Sequence, residues 1–131
     1  MSAIDEEPQP QGELELKVIA MPADTNPYGD IFGGWLLSQM DLAASNAAIR
    51  TAQGRVATIG VGQTGFMVAV KVGAIVACYC QITNTGRSSI GVSVEVWVTY
   101  PETNSRVKVT ECEFVFVAID DKGRTRALPT N

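Results

Sequence analysis

Apolar residues recur along this chain with two periods, and the change of period divides it into elements. Leu14, Leu16 and Val18 alternate with Glu15 and Lys17, the period of two expected of a strand. Residues 21–29 hold Pro22, Asp24, Asn26, Pro27 and Gly29 and predict a loop. Good helix formers then dominate (Leu36, Leu37, Gln39, Met40, Leu42, Ala43, Ala44, Ala47, Ala48), which predicts a helix over about 33–53 with Gly54 as its stop. Only Asp41 and Arg50 are charged within it. A surface helix would carry a polar face with several charges, so this one is expected to be wrapped by other structure.

From Arg55 the period of two returns. It predicts a glycine-interrupted strand over 56–66 and further strands over 72–83, 90–98 and 106–119. Turn chemistry marks the joins at Lys71-Val72-Gly73, Asn84-Thr85-Gly86 and Pro101-Glu102-Thr103-Asn104. Joins this short imply antiparallel pairing. The pattern therefore predicts an α+β chain in which one long helix is held in a curled antiparallel sheet, because a sheet with one apolar face needs a cover. In such an arrangement a sheet edge is expected to pair with a second subunit.

Composition narrows the chemistry. The 131 residues suit one domain, taken as 13–131, after an acidic lead-in over 1–12 expected to be disordered. The net charge of −4 is concentrated: residues 1–15 carry Asp5, Glu6, Glu7, Glu13 and Glu15 and no base, while the remainder has nine acids against ten bases. No basic face is offered to nucleic acid. No apolar run reaches membrane-spanning length and no basic-then-apolar signal opens the chain, so no membrane partner and a cytoplasmic protein are expected. Cys78 and Cys80 share one face of a strand but lack metal or redox spacing, and with Cys112 they are expected to be free core thiols. The chain has no histidine. Histidine-dependent nucleophile systems and histidine metal sites are thereby excluded, and acid–base work at neutral pH falls to a carboxylate.

That points to Asp41, whose neighbours one helical turn away are Leu37, Ser38, Ala44 and Ser45, none of them cationic. The runs around it carry a resemblance. Met21-Pro22-Ala23-Asp24-Thr25-Asn26, Gly29-Asp30-Ile31-Phe32-Gly33-Gly34-Trp35 and Ser38-Gln39-Met40-Asp41 resemble the signature of bacterial hot-dog acyl-CoA thioesterases of the YciA type. So do Gly86-Arg87-Ser88-Ser89, Glu95-Val96-Trp97-Val98 and Gly123-Arg124-Thr125-Arg126-Ala127-Leu128-Pro129, and the likeness extends over about 14–129. The resemblance implies a hot-dog fold, a homo-oligomer commonly built as a hexameric trimer of dimers, and hydrolysis of acyl-CoA to a free acid and CoA. It assigns the catalytic acid to Asp41. A related two-domain group has a working asparagine at the position of Asn26.

Residue chemistry fits that assignment. Apolar surroundings would make Asp41 the stronger base, able to activate water or to attack directly and form an anhydride. Gly33 and Gly34 open the helix, where N–H groups are free and the dipole end is positive, and they are the candidate oxyanion donors. Asn26 would orient water or carbonyl, or else simply hold a turn. Asp41 stands about 12 Å along the helix from these glycines, too far to act on the same carbonyl. A site shared between two chains follows, with Asp41 from one and residues 26–34 from the other.

CoA brings phosphates, for which Arg87, Ser88, Ser89, Arg124 and Arg126 are the candidate ligands. No metal and no cofactor beyond the CoA of the substrate itself is expected. Related dehydratases and hydratases rely on histidine and are disfavoured, and a non-catalytic acyl-CoA sensor would bind without turnover. Four positions depart from the family pattern: Gly62 for an acid, Gly65 for asparagine, Ala69 for proline and Ala74 for aspartate. They are expected on or near the strand over 56–66 and the turn after it, where they bear on acyl preference.

Overall fold

The computed structural model describes residues 8–130. Five strands and one long helix follow in the order β1 (Glu13–Ile19), a 3-10 turn (Pro22–Asp24), α1 (Gly33–Ala52), β2 (Val56–Val61), β3 (Ile75–Thr85), β4 (Ser89–Thr99) and β5 (Arg106–Ala118). The strands form one antiparallel sheet ordered β1-β3-β4-β5-β2, so β1 and β2 are its edges. The α+β arrangement expected from periodicity, one long helix against an antiparallel sheet, is the one observed, and it is the hot-dog fold that the resemblance implies.

Alternation along the strands sets the core. Val76, Cys78 and Cys80 of β3, Ile90, Val92, Val94 and Val96 of β4, and Phe114 and Phe116 of β5 share the inner face and are buried against α1. The helix meets them with Leu36, Met40, Ala43, Ala44, Ala47 and Ala48. The alanines have little side chain to separate helix from sheet, so the backbones approach closely and the interior packs densely. Cys78 and Cys80 are free thiols there, and desolvation pushes both up to about 12. They are protonated and inert at neutral pH.

The helix runs to Ala52, and Gln53 rather than Gly54 takes the left-handed conformation at its end. Gly54 has a different reason to be glycine: a Cβ there would lie 2.7 Å from Nη2 of Arg126, whose guanidinium donates to the Ala52 carbonyl and so caps the helix. The strand expected over 56–66 stops at Val61. Its pairing with β5 shifts between Thr58 and Gly60, and beyond Gly62 isolated backbone bonds and side-chain hydroxyls, not a ladder, hold the segment to β5. The strand expected over 72–83 begins at Ile75, because Lys71, Val72 and Gly73 are spent on a turn in which Gly73 has φ +90°.

The acidic lead-in expected over 1–12 falls partly outside the described residues, which begin at Pro8. Within it, the Gln11 N–H donates to Oε1 of Glu95 at 3.3 Å, on the outer face of β4, and Gln9 accepts from Arg106. Among the described residues no helix is long and apolar enough to cross a membrane.

Candidate active site

The loop before α1 is built around one side chain. Oδ1 of Asn26 accepts from the N–H groups of Tyr28 (2.9 Å) and Asp30 (3.1 Å), while the Asn26 N–H donates to the Asp30 carbonyl at 2.7 Å. Asparagine does this readily because its carbonyl imitates a backbone acceptor two residues back. The loop is further fixed by Phe32 N–H to the Asp24 carbonyl (3.1 Å), Ile31 N–H to the Val70 carbonyl (2.8 Å) and an ion pair between Lys71 and Asp30. Two consequences follow for Asn26. Its oxygen is fully engaged, so it has no acceptor left for a water. Among the described residues its Nδ2 has no partner, and it is the group left to donate.

The loop delivers the chain to Gly33 and Gly34 in the first turn of α1. Trp35 and Leu36 both donate to the Phe32 carbonyl, at 3.1 and 3.3 Å, and the N–H groups of the two glycines have no acceptor among the described residues. They are the orphan donors of a helix start, at the positive end of its dipole.

Asp41 lies two turns further on. Oδ1 of its carboxylate accepts from Oγ1 of Thr58 at 2.8 Å, and Oδ2 has no partner among the described residues. Thr58 belongs to the edge strand β2, so the carboxylate sits beside the open margin of the sheet and is half-buried. The apolar enclosure expected of it is not supplied by one chain. Thr58 was invisible to sequence reasoning: nothing in 56–66 marks it as the residue that meets the helix, and only the fold brings positions 41 and 58 together. Within one chain the helical rise keeps Asp41 about 12 Å from Gly33.

The cationic candidates gather at the other end of the molecule. The Arg87 carbonyl accepts from Leu128 N–H (2.8 Å), the Ser88 carbonyl from Ala118 N–H (2.9 Å), and the Ala118 carbonyl from Arg126 N–H (3.0 Å), so residues 87–89 and 124–128 lie beside one another. A groove of about 670 Å³ runs between them and the end of α1, lined by Thr51, Gln53, Gly86, Arg87 and Leu128. Arg87 and Arg124 are exposed, and among the described residues their guanidinium groups have no partner. Arg126 is different: Nε donates to the Ile119 carbonyl (3.1 Å) and Nη2 to that of Ala52 (2.9 Å). Ser89 is partly buried, its Oγ inside the tight turn at Gly86.

Of the four departures from the family pattern, Gly62, Gly65 and Ala69 fall in the irregular segment after β2, and Ala74 is buried in the turn before β3.

A family model for the thioesterase superfamily matches residues 28–103, which include Gly33, Gly34, Asp41 and Thr58. Over 123 residues the chain is 47% identical to the acyl-CoA thioester hydrolase YciA of Salmonella typhimurium, covering 92% of each chain. A hexameric thioesterase from Yersinia pestis has the same fold with a TM-score of 0.89 at 49% identity, over 94% of this chain and 100% of that one. A hexameric hotdog fold thioesterase of Campylobacter jejuni matches with a TM-score of 0.85 at 40% identity, over 90% and 91% of the two chains. With more than half its length matched by the family model and relatives matched nearly end to end, the chain belongs to the thioesterase superfamily.

Proposed function

We propose that this chain hydrolyses acyl-CoA thioesters to the free carboxylic acid and CoA, at a site shared by two copies of itself. The observation that carries the reading is the state of Asp41: one carboxylate oxygen is held by Thr58 and the other is unengaged among the described residues, beside the β2 edge of the sheet. Oδ2 of Asp41 takes a proton from water, and the hydroxide attacks the thioester carbonyl. The negative charge that develops on the carbonyl oxygen is received by the N–H groups of Gly33 and Gly34 and by Nδ2 of Asn26 from the other chain. Collapse of this intermediate breaks the C–S bond, and the proton held by Asp41 passes to the CoA sulfur. No metal and no cofactor takes part; CoA enters and leaves as part of substrate and product.

The second copy is needed on two grounds. Asp41 and its oxyanion donors are too far apart on one helix to share a carbonyl. The margin where they would meet is apolar and uncovered: Ile59 and Val61 of β2 are 60% and 51% exposed, and Leu42 of α1 is 57% exposed. An open strand edge with such side chains is a template for pairing with another chain. Edge-to-edge pairing of β2 gives the dimer, and three dimers give a hexamer. At the far end Arg87 and Arg124, with Ser88 and Ser89, hold the phosphates of CoA, while Arg126 fixes the segment that carries Arg124. Three free thiols suit a reducing compartment, and we place the protein in the cytoplasm.

Thiol release from acyl-CoA esters, measured for wild type and Asp41→Asn, tests the reaction. A loss of about a hundredfold or more in kcat, with the melting temperature retained, is expected on removing a general base. Wild-type protein that binds the esters without releasing thiol would overturn the reading and make the chain a binding module.

A further inference from the structure

We infer that Phe66 sets which acyl groups this site accepts, its ring being the wall that limits how far the acyl chain extends from the thioester carbonyl. The inference deepens the thioesterase reading and rests on it.

Residues 62–70 link the end of β2 to the turn before β3 without forming a strand, yet they are firmly held. The Gly62 N–H donates to the Glu113 carbonyl (2.8 Å) and the Met67 N–H to the Val109 carbonyl (2.9 Å). Between them, Oγ1 of Thr64 donates to Sγ of Cys112 (2.9 Å) and Oγ1 of buried Thr110 donates to the Gly65 carbonyl (2.6 Å). At the far end the Val70 carbonyl ties the segment to Ile31 in the loop before α1. These bonds carry the chain from β5 to the opening of the helix and set the Phe66 ring on Gly33. A Cβ at Gly33 would lie 3.2 Å from Cε2 of that ring.

The ring is not part of the core. Phe114 and Phe116 are 1% and 0% exposed, whereas Phe66 is 41% exposed, with Met67 and Val68 beside it also uncovered. A large apolar side chain is thus positioned by a set of specific bonds and left bare beside Gly33, whose N–H, like that of Gly34, has no acceptor among the described residues. A thioester whose carbonyl oxygen is received by Gly33 and Gly34 must pass its neighbouring carbons along this ring. Gly65 and Ala69 bracket Phe66 and Met67 where the family pattern has asparagine and proline, so the backbone presenting the ring is this chain's own.

The test compares kcat/KM across straight-chain acyl-CoA esters from acetyl to decanoyl for wild type, Phe66→Ala, Phe66→Leu and Phe66→Trp. Removing the ring frees space for longer chains and withdraws packing from short ones. The ratio of decanoyl-CoA to butyryl-CoA is expected to rise about tenfold or more in Phe66→Ala, to rise less in Phe66→Leu and to fall in Phe66→Trp. A ratio unchanged within about twofold in the folded variants, however far absolute rates fall, would overturn the inference. So would variants that all fail to fold, since Phe66 would then serve the core. Wild type that hydrolyses none of the esters would instead overturn the thioesterase reading itself.

Discussion

The inner face of the sheet and the margin formed by β2 and α1 are built from the same kinds of residue and end in opposite states. On the inner face, Val92, Val94, Phe114, Phe116, Met40 and the helix alanines are sealed within one chain. At the margin, Leu42, Ile59, Val61, Phe66 and Met67 remain open to solvent. The first region completes a fold, and the second leaves one unfinished. Every candidate for the reaction (Asp41, Thr58, Asn26, Gly33, Gly34) belongs to the margin or to the loop and start of α1. The chain closes its core alone, and in the proposed reading a second copy closes the site.

Substitutions on the two sides should therefore fail differently. Phe114→Ala empties a fully buried ring position and should destabilise the fold by about 3–5 kcal/mol, measured by denaturant unfolding, with activity following the folded fraction. Ile59→Lys should leave the monomer folded, because the side chain is 60% exposed in one chain. It should still abolish most activity as the oligomer, followed by sedimentation or size exclusion, falls to monomer. If Ile59→Lys unfolded the chain, or left a fully active oligomer, the contrast between the regions would fail. A smaller effect is expected at Thr58→Val, which keeps shape and removes the donor to Asp41. Loss of one such bond should lower kcat by about tenfold with little change in KM. A change in KM alone would make Thr58 a binding group and not a positioning one.

The fold was largely legible because its elements are local patterns. The period of two predicts β1, β4 and β5 to within about a residue at each end, and the run of helix formers predicts α1 to within a residue. The two exceptions have different causes: β3 begins at Ile75 because Lys71, Val72 and Gly73 make a turn. The strand over 56–66 stops at Val61 because side chains from β5, namely Thr110 and Cys112, take over the bonding of residues 62–65, and no local pattern announces that. The site was legible only in part. Asp41 is conspicuous as an acid without a partner in an apolar helix, and Gly33-Gly34 as a helix opening. Thr58 and Phe66 act through contacts with residues 17 and 33 positions away, which the fold creates. Arg126 looked like a phosphate ligand from its charge. Its place against the last turn of α1, where it also explains Gly54, is visible only in three dimensions.

The shared site is the central claim, and subunit mixing tests it most directly. Asn26→Ala chains and Asp41→Asn chains, each nearly inactive alone, are combined under conditions that allow exchange, and thiol release is followed. Random exchange makes half of the dimers mixed, each with one intact site of two, so recovery to about a quarter of wild-type activity is expected. Activity that stays at the sum of the two parents after exchange is verified would mean that each chain carries its own complete site.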